Sequence, residues 1–187
     1  MGFTKAELEI FRDATVPDLV GPACRLLFVG INPGLWTAAT QTHFCHPSNR
    51  FYPALSRAGL IEWTLDTKVG MSAEQRSDFT SRGMGVTNLV ARATLRASEL
   101  SKSELEEGGA ALVDRIERVS PRVVAIAGVT AYRVAFGHPQ ASLGRQDIEV
   151  GASSVWVLPN PSGLNAHETI DSLADWFRLV ADEAGFE

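Results

Sequence analysis

Cysteine is nearly missing from this chain: Cys24 and Cys45 are the only two. Two thiols cannot make a disulfide framework, a four-cysteine zinc site or a four-cysteine iron–sulfur cluster. A reducing, cytoplasmic compartment is the expectation. Lysine is scarce too, with Lys5, Lys68 and Lys102 the full set. No apolar run approaches the ~20 residues of a membrane span. The opening M-G-F-T-K-A-E-L-E is acidic and amphipathic rather than a signal peptide, so no membrane association is expected. Linkers of low complexity, internal repeats and breaks in composition are also missing. The 187 residues are therefore expected to form a single domain over 1–187. A chain of this size buries a full core without staples, and a mean hydropathy of +0.01 suits a globular one.

The net charge of -5 argues at first against nucleic acid, but its distribution matters more. Residues 25–60 hold Arg25, Arg50 and Arg57 and no acid. Residues 82–98 hold Arg82, Arg92 and Arg96, again with no acid, and residues 118–146 repeat the pattern with four arginines. Acids gather at 99–117 and 147–187. Such segregation lets one face attract phosphate while the other is acidic. Ordinary surface scatter explains it equally well.

Patterning places the elements. Residues 6–13 read as a short helix. Leu26-Leu27-Phe28-Val29, stopped by Gly30, reads as a buried parallel strand. A long Gly/Pro/Thr/His loop runs from there to about Ser48, and Asn49 caps a helix through Ala58. Residues 83–89 read as a strand and its exit. Ser101-Lys102-Ser103-Glu104 is a capping box opening a helix to about Val119. Residues 122–127 form another buried strand, 130–136 a helix, 153–158 a last strand ended by Pro159, and 168–184 an amphipathic helix. Strands alternating with helices imply an α/β fold with a parallel sheet covered on both faces. Ligands bind beyond the carboxyl ends of such strands, where two unusual loops fall: residues 30–48 and 159–167.

The first loop begins Gly30-Ile31-Asn32-Pro33-Gly34. It lacks the Gly-Lys-Ser/Thr of a phosphate-binding loop and the G-x-G-x-x-G of a dinucleotide site. It offers a neutral amide, Asn32, held at a strand end, with a plain turn asparagine equally open. Phe44 follows, among His43, Cys45, His46, Pro47, Ser48, Asn49 and Arg50; simple core packing is its bland reading. His43, Cys45 and His46 invite a metal, but neighbouring loop side chains rarely converge on one ion, and the spacing does not suit zinc. No metal and no cofactor are expected. The second loop, L-P-N-P-S-G-L-N-A-H over residues 158–167, carries no acid or base before His167 and places Leu164 on a stiff Pro/Gly frame. An exposed leucine there needs a cover, unless it folds back as a helix staple.

These motifs identify the chain's likeness. G-I-N-P-G at 30–34 with F-x-H-P-x-N-R-F at 44–51, and L-P-N-P-S-G-L at 158–164, resemble the mismatch-specific uracil/thymine-DNA glycosylases, the second family of the uracil-DNA glycosylase superfamily. G-V-T-N-L-V at 85–90 and Glu99-Leu100-Ser101 fit as well, so the resemblance covers about residue 25 to the C-terminus. It implies a three-layer α/β/α sandwich with a short, mostly parallel central sheet. It implies hydrolysis of the N-glycosidic bond of uracil in mismatched duplex DNA, with thymine or related lesions open as further substrates, leaving an abasic site. By the same resemblance Asn32 positions the attacking water, and Ile31, Gly34, Phe44 and Asn88 bind the base. Asn160, Ser162, Gly163, Leu164 and Asn165 form the loop that meets the DNA, with Leu164 as the wedge. The resemblance also implies double-stranded DNA containing uracil or a G·U or G·T mismatch as the partner, and a monomer associated with the nucleoid.

The physics of these residues agrees. A base must leave the stack before it can be attacked, at a cost of a few kcal/mol. An amide is a poor base, so positioning and electrostatics supply most of the acceleration, and a slow enzyme follows. No lysine lies in a motif, which favours a monofunctional hydrolase over a Schiff-base lyase. Two positions depart from the pattern. Asn165 and Ala166 stand where close bacterial relatives often carry serine and arginine, so strict dependence on a guanine partner does not follow. Ala91 stands where relatives often carry an acid, which removes general-base help from that position. The alternatives are a non-catalytic mismatch- or lesion-binding protein and a hydrolase of free nucleosides.

Overall fold

The computed structural model describes residues 2–186. Four strands, β1 (Leu26–Gly30), β2 (Met84–Asn88), β3 (Val123–Ala127) and β5 (Ser153–Leu158), run parallel. A fifth, β4 (Gly144–Val150), pairs antiparallel with β5 at one edge. The order across the sheet is β2-β1-β3-β5-β4. Around it lie helices α1 (Lys5–Glu9), α2 (Leu35–Thr40), α3 (Phe51–Arg57), α4 (Ala73–Ser81), α5 (Lys102–Val119), α6 (Val129–Ala135) and α7 (Ile170–Glu183).

Strand side chains alternate between faces, and each face builds its own core. Leu26, Phe28, Met84, Val86 and Ala125 pack with Phe51 and Leu55 of α3, Phe79 of α4 and Leu173 and Phe177 of α7. Leu27, Val29, Val124, Ile126, Val155 and Val157 face the other way, onto Leu112 and Ile116 of α5 and Ala131 and Tyr132 of α6. β1, β2 and β3 are buried along their whole length, which is why β1 and β3 read as unbroken apolar runs, while β2 ends on the buried polar pair Thr87 and Asn88. The α/β/α sandwich with a short, mostly parallel sheet is therefore the fold of this chain.

The helix capped by Ser101 is as expected: its hydroxyl accepts from Glu104 N–H while the Glu104 carboxylate accepts from Ser101 N–H. Several elements differ from expectation, and α1 ends at Glu9 rather than reaching Asp13. The loop after Gly30 contains α2, six residues closed by Gln41 in the left-handed region. α4 falls in a stretch given no element, although Ser72 and Gln75 make a capping box that marks its start. β4 was missed because an edge strand wetted on one side alternates half-buried and exposed residues, and R-Q-D-I-E carries little apolar signal. At α3 the cap is Arg50, while the Asn49 side chain accepts from Phe51 N–H. α7 starts at Ile170 behind a Thr169 cap, rather than at Glu168.

Candidate active site

The parallel register sets Gly30 beside Asn88 at the carboxyl ends of β1 and β2. The chain leaving β1 delivers Ile31 and Asn32, and the chain leaving β5 delivers Asn160 to Leu164. Between them opens a cavity of about 280 Å³. That is at the small end of ligand sites, of which ~300–1,000 Å³ is typical, and suits one base rather than a dinucleotide. Asn32, Gly34, Phe44, Asn88, Asn160 and Leu164 all line it.

Asn32 is held by one end. Its Nδ2 reaches Thr94 Oγ1 at 2.8 Å, Arg92 O at 3.0 Å and Pro33 O at 3.2 Å. Two of these are carbonyls that only accept. The Thr94 hydroxyl donates its own hydrogen to Arg96 O, so its oxygen is free to accept. Nitrogen must therefore occupy that end of the amide. Oδ1 takes no hydrogen bond among the described residues, and no buried polar side-chain atom is left unpaired. Oδ1 is thus the end open to the cavity, an acceptor fit to hold a water.

Asn88 is oriented on the same logic. Its Nδ2 lies 2.9 Å from His43 Nδ1, and His43 Nε2 lies 2.9 Å from Pro17 O. Arg115 donates to the Asn88 carbonyl at 3.0 Å. Gly30 permits this close packing. A Cβ at that position would collide with Asn88 Oδ1 and meet the Phe44 ring at 3.1 Å, so only glycine fits. Phe44 stacks on Phe51, with ring centroids 4.3 Å apart and a 26° tilt. Phe51 is itself buried against Phe28, Tyr52 and Phe177. Phe44 has a φ of 56°, an uncommon conformation for an aromatic residue and a strained one of the sort found at functional sites. It therefore serves core and cavity together.

The cavity wall carries no Asp, Glu, Lys or Arg. His46 is the ionisable side chain that lines it. Burial pushes its pKa below the ordinary value. Its Nδ1 bonds Ser48 Oγ at 2.8 Å and accepts from Ser48 N–H. His43 and His46 thus hold different partners, and no cluster of three or more His, Cys, Asp or Glu among the described residues is placed to hold a metal ion. Ile31 lines the wall, and its carbonyl accepts from Val90 N–H.

Leu164 is 88% exposed, the most open large apolar side chain described. The α7 cap lies five residues beyond it, closed by Thr169 and Ser172, so Leu164 does not staple that helix. Its loop is stiff from within: Asn160 Oδ1 accepts from Ser162 N–H, and Asn165 Nδ2 donates to Asn160 O. It is also tied to the first loop. Arg50 N–H donates to Pro161 O, and the Arg50 guanidinium donates to Ser162 O and Asn165 O. Gly163 sits so close to Ser48 that a Cβ would lie 2.5–2.6 Å from it. The Asn165 side chain is spent inside the loop. Thr94, the orienting part of His43 and the anchoring part of Arg50 were not foreseen from sequence. Their partners lie 62, 45 and 112 residues away along the chain, and no local pattern encodes such pairings.

The arginine stretches are partly neutralised in space. Arg92 pairs with Glu104 and Asp13, Arg82 with Asp78, Arg57 with Asp171 and Arg145 with Glu183. The Arg92 guanidinium and two Ser101 hydrogen bonds hold Glu104 down to about 2.

Comparison with known proteins adds the family. The model of the uracil DNA glycosylase superfamily matches residues 17–182. Among solved structures, the chain is similar to the solution NMR structure of a candidate uracil DNA glycosylase from Methanosarcina acetivorans. The superposition has a TM-score of 0.60 at 17% identity, covering 90% of this chain and 98% of that one. At that identity the likeness establishes the fold.

Proposed function

Because the chain belongs to the uracil DNA glycosylase superfamily, we propose that it hydrolyses the N-glycosidic bond of uracil in mismatched duplex DNA, as one monomeric domain needing no metal or cofactor. The observation that carries this reading is Asn32. Its nitrogen is saturated by three acceptors, and its oxygen is turned into a cavity the size of a base.

The steps follow from the chain's own groups. Leu164, carried on a loop tied to Arg50, enters the stack as uracil swings out, offsetting part of the unstacking cost of a few kcal/mol. Phe44 takes the base on its face, worth ~1–3 kcal/mol for an aromatic–base stack, while Asn88 meets the base edge and Ile31 and Gly34 bound the space. The bond from C1′ to N1 breaks with its electron pair going to N1. Water held by Asn32 Oδ1 attacks C1′ and releases its proton to solvent, and the uracil anion takes up a proton on leaving. With no carboxylate on the wall, orientation and the desolvated surroundings supply the acceleration. Weak U·G pairing lowers the flipping cost and favours mismatches.

Single-turnover excision on duplexes with uracil opposite guanine or adenine, and on single strands, tests the reading. Abasic product, fastest for U·G among duplexes, is expected. Lesion binding without product would make the protein a mismatch-binding module, and turnover of free deoxyuridine in preference to duplex would make it a nucleoside hydrolase.

A further inference from the structure

His43 is almost fully buried, at 3% exposure, yet it lies outside the cavity wall. Both ring nitrogens are engaged. A backbone carbonyl only accepts, so the 2.9 Å contact with Pro17 O puts the hydrogen on Nε2. Desolvation drives the ring toward its neutral form, which leaves a lone pair on Nδ1. That lone pair faces Asn88 Nδ2 at 2.9 Å, so the amide must donate there. Asn88 Oδ1 is left as the free end: it has no partner among the described residues and is not sealed off.

An amide free to rotate would present acceptor or donor with equal ease. One that cannot turn presents an acceptor only. Uracil carries N–H at N3 and satisfies an acceptor. Cytosine carries a lone pair at N3, and two lone pairs facing each other in a dry site repel. We propose that His43 is a specificity-determining positioning residue, whose hydrogen bonds to Pro17 and Asn88 fix the Asn88 amide so that the cavity accepts bases with an N3–H donor and rejects cytosine. This deepens the proposed function and rests on Asn88 meeting the base edge.

Two substitutions divide the relay. His43→Asn keeps an acceptor where Nδ1 stood and gives up the Pro17 contact. His43→Gln places its amide near Nε2, keeping the Pro17 contact and giving up the acceptor toward Asn88. Binding is measured on duplexes carrying 2′-fluoro-2′-deoxyuridine or 2′-fluoro-2′-deoxycytidine opposite guanine. The electronegative fluorine disfavours cation formation at C1′, so both remain intact. The readout is the dissociation constant of the cytidine duplex divided by that of the uridine duplex, a ratio that cancels any loss of folded protein, with melting temperatures recorded alongside. The wild type and His43→Asn should share one ratio within about threefold. His43→Gln should lower it by about tenfold, the scale of one hydrogen bond lost and one repulsion relieved. A ratio that drops equally in both variants, or in neither, overturns the role of His43. A wild type that binds uracil duplex no better than unmodified duplex would instead overturn the functional reading.

Discussion

At Asn32, three acceptors share two amide hydrogens, so the side chain is fixed before any water arrives. Asn32→Ala removes the acceptor proposed to hold the water while leaving Phe44 and the Leu164 loop in place. Single-turnover excision should fall at least ~100-fold, with duplex binding changed by less than about threefold. A near-normal rate would dismiss the water-positioning role. Thr94→Val keeps the shape and removes one acceptor of the three, so a milder loss of roughly 3- to 10-fold is expected. His43 adds a pH dependence of stability. Burial lowers its pKa, with Asp18 opposing and Arg76 adding to the shift; burial lowers that of His46 as well. Below the ordinary histidine value of about 6.5 the unfolded chain takes up protons that the native chain refuses. Stability should therefore fall as pH drops from about 6.5 toward the lowered native values, and neither histidine should affect it above that. Urea unfolding at pH 7.5, 6.0 and 5.0 checks this, and His43→Asn should show a shallower decline than wild type.

The loop after β5 acts as an element although it has no regular structure. Its prolines fix φ, its asparagines close its turns, and Arg50 binds it to the first loop. Leu164→Ala should weaken flipping without touching chemistry. Losing ~1–3 kcal/mol of base-step contact would cut the flipped population about 5- to 150-fold. The defect should be largest for uracil opposite adenine, smaller for U·G and nearly absent in single strands. Equal losses on all three would dismiss the wedge. Gly163→Ala tests the element rather than the tip: its Cβ must displace Ser48, so the loop shifts with Leu164 still present. The same ranking of substrates is expected, and an unchanged rate on U·A would show that loop placement is unimportant. The Phe51 layer is a second supporting element. Phe51→Ala should cost about 3–5 kcal/mol of stability and release Phe44 from its backing ring.

For the whole molecule, the net charge of -5 and the ion pairs that engage Arg57, Arg82, Arg92 and Arg145 limit how many cations can meet phosphate. Non-specific duplex binding should be moderate and salt-sensitive, with a log–log slope of roughly -2 to -5 for a few neutralised phosphates. A slope near zero would mean that the interface is not electrostatic. The segregation of charge along the sequence is a poor guide here, because folding brings acids from distant segments onto these arginines: Glu104 and Asp13 onto Arg92, Asp171 onto Arg57.

The sequence by itself determined the four parallel strands and the long helices that cover them, but not the edge strand β4 or the short helices α2 and α4; buried strands such as β1 and β3 are continuous apolar runs, and helices announce their caps, as Ser101 and Glu104 do. It also singled out the two loops that border the cavity, because Pro- and Gly-stiffened loops at strand ends are local features. Tertiary structure alone decided how the site is held. Whether Asn32 offers oxygen or nitrogen depends on Thr94 and Arg92, and which end of Asn88 faces the cavity depends on His43 and Pro17. The exposure of Leu164 depends on Arg50 and Ser48 carrying its loop. Each of these is a pairing across long stretches of chain, where hydrogen-bond direction and close packing follow from where the backbone finally lies.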